Sequence, residues 1–376
     1  MRILLNTKPL VLSDKSGIGY YVSNLHRELR ASGIDVHPTL DAKSQRVLNT
    51  LRKISFSMRR SLGKWDFPFL CQLGDTLIRN LSGGGPKGLH YDLYHETSLD
   101  LMPDIKMRSL CNLYDLAFIR HPELLPPRLA SFWRANVERN VKVAKRVIVN
   151  TKFIRDEAVD LLKLNEEAMD IIPLAPSRFF QPTGPRIPHR KQATRFTEKD
   201  YILYVGTVEP RKGLKTLIRA YREIKDRYDL SLVIAGGLGW LYEDILSYPA
   251  ELGMKREVIF TKYVDEGSLL DLYRHASVFV YPSVYEGFGL PPLEAMACGT
   301  PVLVSDIPPL TEVTGGAALS FNPKDHEALA DVLGNVLSSE SLRMELKDKG
   351  YQQSAGYSWD KVVTATIQTY QKILKD

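Results

Sequence analysis

Short runs of β-branched and aromatic residues alternate with helical patterns from one end of this chain to the other, and that alternation constrains the fold more than any other feature. Strand and helix in steady succession imply parallel sheets covered by crossover helices, an α/β architecture. Arg2–Asn6 reads as the first strand, and Ser16-Gly-Ile-Gly19 opens a helix running to about Ala31. Strands Tyr91–His95, Leu110–Leu113 and Arg146–Val149 alternate with helices Arg128–Val143 and Lys152–Leu164. Between Gln181 and Lys199 prolines and basic residues replace the apolar periodicity, which marks a linker. The pattern resumes with strands Tyr201–Val205, Ser231–Ala235, Val258–Tyr263, Ser277–Tyr281, Val302–Val304 and Ala317–Phe321. Helix Leu214–Arg227 lies among them, and helices Lys324–Leu337, Ser341–Ala355 and Trp359–Leu374 close the chain. A length of 376 residues fits two domains, 1–180 and 200–357, joined by the linker 181–199.

The run Tyr281–Pro301 concentrates the chemistry. A strand end passes into Tyr-Glu-Gly-Phe-Gly, where Gly287 and Gly289 flank Phe288 and let the backbone turn and approach a ligand. Pro291 and Pro292 fit the first turn of a helix that begins near Leu290 and stops at Gly299. Amides at Gly289 and Leu290 then sit at a positive helix end, an anion site. Glu286 and Glu294 flank it, and carboxylates accept hydrogen bonds from hydroxyls. Phosphate-directed amides between hydroxyl-directed carboxylates suit a nucleotide-sugar.

The run YEGFGLPPLEAMACGTPVLVSD closely resembles the Glu-x7-Glu signature of retaining GT-B glycosyltransferases of family 4, whose bacterial members include mannosyltransferases of polysaccharide and O-antigen assembly. The resemblance implies two Rossmann-like domains facing a central cleft, with residues 358–376 crossing back to the first domain. It implies that Glu286 holds hydroxyls of the donor sugar and that Glu294 grips the ribose.

Gly206 ends a strand, Thr207 follows, and Arg211-Lys212 precede the helix at Leu214. Two cations at a helix start oppose its dipole and call for an anion. Arg forks onto two phosphate oxygens while Lys supplies a compact charge. The pair also matches the diphosphate-binding pair of the family, whose backbone near Tyr263 and Val264 touches the nucleotide base. Lys262 stands where that family often has Gly.

In similar proteins the glycine loop of Gly17 and Gly19 faces the reaction centre and the acceptor; a plain helix-start glycine pair is the alternative. The family usually carries His-Asp where this chain has Tyr114-Asp115. Tyr donates and accepts one hydrogen bond but is a poor proton carrier at neutral pH. His121 is a nearby candidate for the lost contact.

The donor expected from the resemblance is a nucleotide-diphospho-sugar, with GDP-mannose mildly preferred. The reaction the resemblance implies is a metal-independent hexosyl transfer to a glycan or lipid-linked acceptor. No cofactor beyond that co-substrate is expected, and no Asp-x-Asp motif suggests a metal. A nucleotide-sugar epimerase and an inactive donor-binding scaffold are the alternatives.

The net charge of +6 is uneven: residues 1–178 carry 27 Lys and Arg against 19 Asp and Glu. Without a helix-turn-helix, zinc-finger or RNA-binding motif, nucleic acid is not the expected partner. Residues 43–64 read as a basic amphipathic helix, suited either to an anionic membrane surface or to packing with a solvated charged face. Three cysteines, Cys71, Cys111 and Cys298, suggest reduced thiols. A cytoplasmic setting, peripheral on the inner membrane face, is the expected localisation.

Overall fold

The computed structural model describes residues 1–12 (backbone only for 11 and 12), 17–40, 89–100, 102–103, 107–180 and 199–375. The basic helix expected over 43–64, Cys71 and residues 181–198 of the expected linker lie outside the described residues. Strands that read as continuous apolar runs are buried on both faces of parallel sheets, where polar side chains would lose water without recompense. There are two such sheets, each six-stranded among the described residues, in two compact units.

Unit 1 comprises Met1–Arg120, Pro127–Ile172 and Trp359–Asp376. Its strands are β1 (Arg2–Leu5), β2 (Asp35–Pro38), β3 (Leu93–Glu96), β4 (Arg108–Leu113), β5 (Arg146–Val149) and β6 (Met169–Ile171), paired in the order β2-β1-β3-β4-β5-β6. Every pairing is parallel. The described helices are α1 (Pro9–Leu12), α2 (Gly17–Ala31), α3 (Ala117–Arg120), α4 (Pro127–Val143) and α5 (Lys152–Leu162). Helix α5 starts where the Thr151 side chain accepts from the Ile154 amide and ends at Lys163 in the left-handed region, φ 55°.

Unit 2 comprises His121–Pro126 and Pro173–Ser358. Its strands are β7 (Asp200–Val205), β8 (Leu230–Ala235), β9 (Val258–Lys262), β10 (Val278–Tyr281), β11 (Val302–Ser305) and β12 (Leu319–Phe321), paired as β12-β11-β10-β7-β8-β9. Its helices are α6 (Leu214–Ile224), α7 (Glu243–Glu251), α8 (Glu266–His275), α9 (Leu290–Ala297), α10 (Pro308–Thr314), α11 (His326–Ser338) and α12 (Glu340–Ala355). Leu214, Leu217, Ile218, Tyr221 and Ile224 recur at helical spacing on α6, and all are buried. Each such side chain contributes about 1.5–3 kcal/mol by leaving water. Leu217→Ala would cost roughly 2–5 kcal/mol.

The last helix, α13 (Trp359–Lys375), belongs to unit 1 and packs on α2. Trp359 lies against Tyr21, with ring centroids 5.9 Å apart. The buried His95 ring makes a 2.8 Å hydrogen bond to the Tyr370 hydroxyl and a 2.6 Å one to Asn112 Oδ1. Burial holds the His95 imidazole down at about 4, so it stays neutral.

Candidate active site

In unit 2 the chain enters at β7 in the middle of the sheet, runs outward through β8 and β9, then returns to β10 on the other side of β7. The loops leaving β7 and β10 therefore diverge at a point where strand order reverses, the place where open α/β sheets hold ligands. The two loops are tied together. The Val284 amide donates to the Arg211 carbonyl at 2.9 Å. Gly213, at φ 64°, sits so close to Pro282 that a Cβ would collide with the Pro282 carbonyl.

Four charged side chains meet at this junction. Lys212 Nζ lies 2.5 Å from Glu286 Oε1 and donates to the Tyr281 hydroxyl at 3.0 Å. Arg211 Nη1 donates to Glu286 Oε2 at 3.1 Å and to the Tyr285 carbonyl at 3.0 Å. Its Nε and Nη2 both donate to Glu209 Oε1, at 3.1 and 2.8 Å. Burial pushes the Glu286 carboxyl up, but Lys212 and Arg211 outweigh it and hold the carboxyl down at about 2. For Glu209 burial wins, and its carboxyl is raised despite the same two cations.

The anion that the adjacent cations call for is thus supplied from within the chain by Glu209 and Glu286. Of the residues expected to act together, Arg211, Lys212 and Glu286 are joined directly. Glu294 stands apart on the second turn of α9, half-buried, accepting from the Tyr273 hydroxyl at 2.9 Å. Burial pushes Glu294 up to about 8, against the Tyr273 hydrogen bond, so at neutral pH it carries a proton.

Gly289 precedes α9 at φ 94°, Leu290 is the first helical residue, and Pro291 and Pro292 occupy the first turn. Phe288 is buried edge-on to Tyr357 at 5.9 Å, and Gly287 lies in the loop between Glu286 and it. Gly206 and Gly236 bring the ends of β7 and β8 together: a Cβ at Gly236 would strike the Gly206 carbonyl. Thr207 follows, its carbonyl accepting from the Tyr204 hydroxyl at 3.2 Å. Tyr263 is exposed and Val264 half-buried. Lys262 adopts φ 62°, the left-handed conformation that explains why glycine suits this position.

Unit 1 has its own reversal, between β1 and β3. There the buried Glu96 accepts from Asn6 Nδ2, the Tyr94 hydroxyl, and the Ser98 amide and hydroxyl at 2.5–2.8 Å. Burial pushes Glu96 up to about 7 against those donors. Lys8 pairs with Asp100 at 2.9 Å. Tyr114 donates to the Thr97 carbonyl at 2.9 Å and lies edge-on to Tyr21, while Asp115 accepts from the Ala117 amide. Gly17 opens α2 and Gly19 is buried in its first turn. His121 belongs to unit 2, its ring 5.3 Å from that of Tyr285, with Nδ1 3.1 Å from Glu123.

Residues 185–353 match the family model for glycosyl transferases group 1. The chain is 29% identical to O-antigen chain mannosyltransferase B of Escherichia coli over 98% of its own length and 99% of that protein. It is 37% identical to serotype-specific mannosyltransferase WbdA of Escherichia coli over 47% of this chain, which spans only 22% of that longer protein. The chain carries a group 1 glycosyl transferase domain. The fold of this glycosyl transferase is GT-B: it superposes on Anabaena Alr3699/HepE, solved with UDP and glucose, with a TM-score of 0.72 at 16% identity, covering 99% of this chain and 100% of that one.

Four parts of the glycosyl transferase escape sequence reasoning. Glu209 lies in the same short stretch as Arg211 and Lys212, and its position two residues before the arginine was an available signal. Tyr281 ends a strand and Tyr273 lies in α8, and only the fold shows their hydroxyls on Lys212 and Glu294. The Asn6–Glu96 pair joins residues 90 positions apart and leaves no local pattern.

Proposed function

We propose that this glycosyltransferase moves mannose, with retention of configuration and without a metal, from a nucleotide-diphospho-sugar to a glycan or lipid-linked acceptor. The observation that carries the reading is the convergence of Arg211, Lys212 and Glu286 where the strand order of unit 2 reverses. The names of the E. coli relatives favour mannose and surface-polysaccharide assembly, and GDP-mannose is the preferred donor on that basis.

As the glycosidic bond breaks, negative charge grows on the departing diphosphate. Arg211 and Lys212 meet it, helped by the amides at the start of α9. Glu286 holds hydroxyls of the donor sugar. Glu294, neutral at pH 7, both accepts from and donates to the ribose hydroxyls. Gly206, Thr207, Gly287, Phe288, Tyr263 and Val264 line the donor side. Gly17, Gly19, Tyr114 and Asp115 serve the acceptor, and His121 contacts the sugar. The setting we propose is cytoplasmic and peripheral to the inner membrane face, through residues 43–64; among the described residues no helix is long and apolar enough to cross a membrane.

The test is a thermal-shift panel of nucleotide-sugars, because a true donor raises the melting temperature by mass action. The stabilising donor is then incubated with candidate acceptors, and the product anomer is read by NMR. An inverted anomer sinks retention. An isomerised donor formed without acceptor sinks transfer, and activity that vanishes with a chelator and returns with a divalent ion sinks metal independence.

A further inference from the structure

The two carboxylates that neutralise Arg211 and Lys212 are held in different ways. Glu209 is two residues from Arg211 on the same loop, is 2% exposed, and takes both Nε and Nη2 of the guanidinium on one oxygen. Gly239 closes over its other oxygen, so near that a Cβ there would lie 3.0 Å from Oε2. Two hydrogen bonds within one loop hold carboxylate and guanidinium together.

Glu286 arrives from the other loop, 75 residues away from Arg211. It places one oxygen on each cation, 2.5 Å from Lys212 Nζ and 3.1 Å from Arg211 Nη1. A diphosphate that bridges the two cations seeks the same positive charge that Glu286 already neutralises, so Glu286 and the diphosphate compete. A displaced, buried carboxylate must then find other donors or face the incoming negative charge unpaired, which is costly.

We infer that Glu286 is an exchangeable counter-ion that makes this site prefer a sugar-bearing diphosphate over the bare nucleoside diphosphate, with Glu209 as the fixed counter-ion that positions Arg211. A hexose on the diphosphate brings hydroxyls for Glu286 to accept from when it lets go of the cations. A bare nucleoside diphosphate brings charge to the cations but no hexose hydroxyl for Glu286. Once the sugar has been transferred, Glu286 returns to Lys212 and Arg211 and helps expel the spent nucleotide. This rests on the donor-site reading above and adds a basis for discrimination and product release.

Calorimetric titration of the full chain with GDP, inorganic pyrophosphate and GDP-mannose tests it. Glu286→Gln keeps the shape and removes the competing charge. It should bind GDP and pyrophosphate at least about tenfold more tightly than wild type, roughly 1.4 kcal/mol, and so lower the preference for GDP-mannose over GDP. Glu209→Gln should instead weaken all three ligands in proportion, leaving that preference intact. Unchanged or weaker GDP and pyrophosphate binding in Glu286→Gln overturns the inference while leaving the donor site standing. Failure of wild type to bind any nucleotide or pyrophosphate overturns the donor site itself. If Glu286→Gln does not fold, wild type decides: whichever nucleotide-sugar binds must do so more tightly than its own nucleoside diphosphate, and the reverse order refutes the exchange.

Discussion

The ammonium of Lys212 lies 2.5 Å from a carboxylate oxygen of Glu286, a residue 74 positions further along the chain. Both side chains are buried, so water does little to screen the attraction between them. Lys212→Met leaves the Glu286 carboxylate to Arg211 alone and should cost about 3 kcal/mol of stability, the lower end for breaking a buried pair. The double variant with Glu286→Gln should lose less than the sum of the two single changes. Urea denaturation of all four proteins gives the coupling, and strict additivity would show the pair to be energetically idle.

Acid should weaken this pair between pH 4.5 and about pH 2. The Glu286 carboxyl is depressed from 4.5 to about 2 in the folded protein. A depressed carboxyl contributes stability above its unfolded value and loses it as pH falls through the folded one. The contribution is on the order of 3 kcal/mol, present above pH 4.5 and lost between there and about pH 2. Glu286→Gln should flatten that limb of a stability-against-pH curve measured by denaturant midpoint. An equally steep limb in the variant would assign acid sensitivity elsewhere.

The neutral state of Glu294 gives a different pattern. A protonated carboxyl is mimicked by an amide, so Glu294→Gln should keep donor affinity within about threefold, less than 1 kcal/mol. Glu294→Ala should weaken it by about tenfold or more, having lost the side-chain contact altogether. Donor dissociation constants at pH 7 decide this. Equal losses in the two variants would mean that the ionised form does the binding.

How much of this could be read from residues alone divides along a physical line. The alternation of strand and helix was legible because each element's burial is written locally, in runs such as Ser277–Tyr281 and the spacing of Leu217, Ile218 and Tyr221. The short β2 and the helices α7 and α10 left weaker signals, since Pro249 interrupts α7 and two prolines open α10. In the site, Arg211 and Lys212 stood out as two cations opposing a helix dipole, and Glu286 as a carboxylate flanking a helix-end anion site. Their mutual pairing did not, because the meeting of the β7 and β10 loops is a property of strand order. The same holds for Asn6 and Glu96.

Gly213 offers a backbone test of that meeting. Gly213→Ala puts a Cβ into the Pro282 carbonyl at φ 64°, combining left-handed strain with overlap. The expected loss is about 2–4 kcal/mol, taking strain and overpacking together. Because the turn carries Arg211 and Lys212, donor affinity should fall with it. A variant as stable as wild type would mean that the two loops part easily.

Helix α13 has a consequence for how the protein is made. Unit 2 is nearly continuous in the chain, but the sheet of unit 1 is covered in part by residues that leave the ribosome after all of unit 2. Until Trp359 can reach Tyr21 and Tyr370 can reach His95, the amino-terminal half waits with an apolar face on α2 open to solvent. A nascent chain stalled before residue 359 should therefore show chaperone association centred on unit 1, while unit 2 already resists protease.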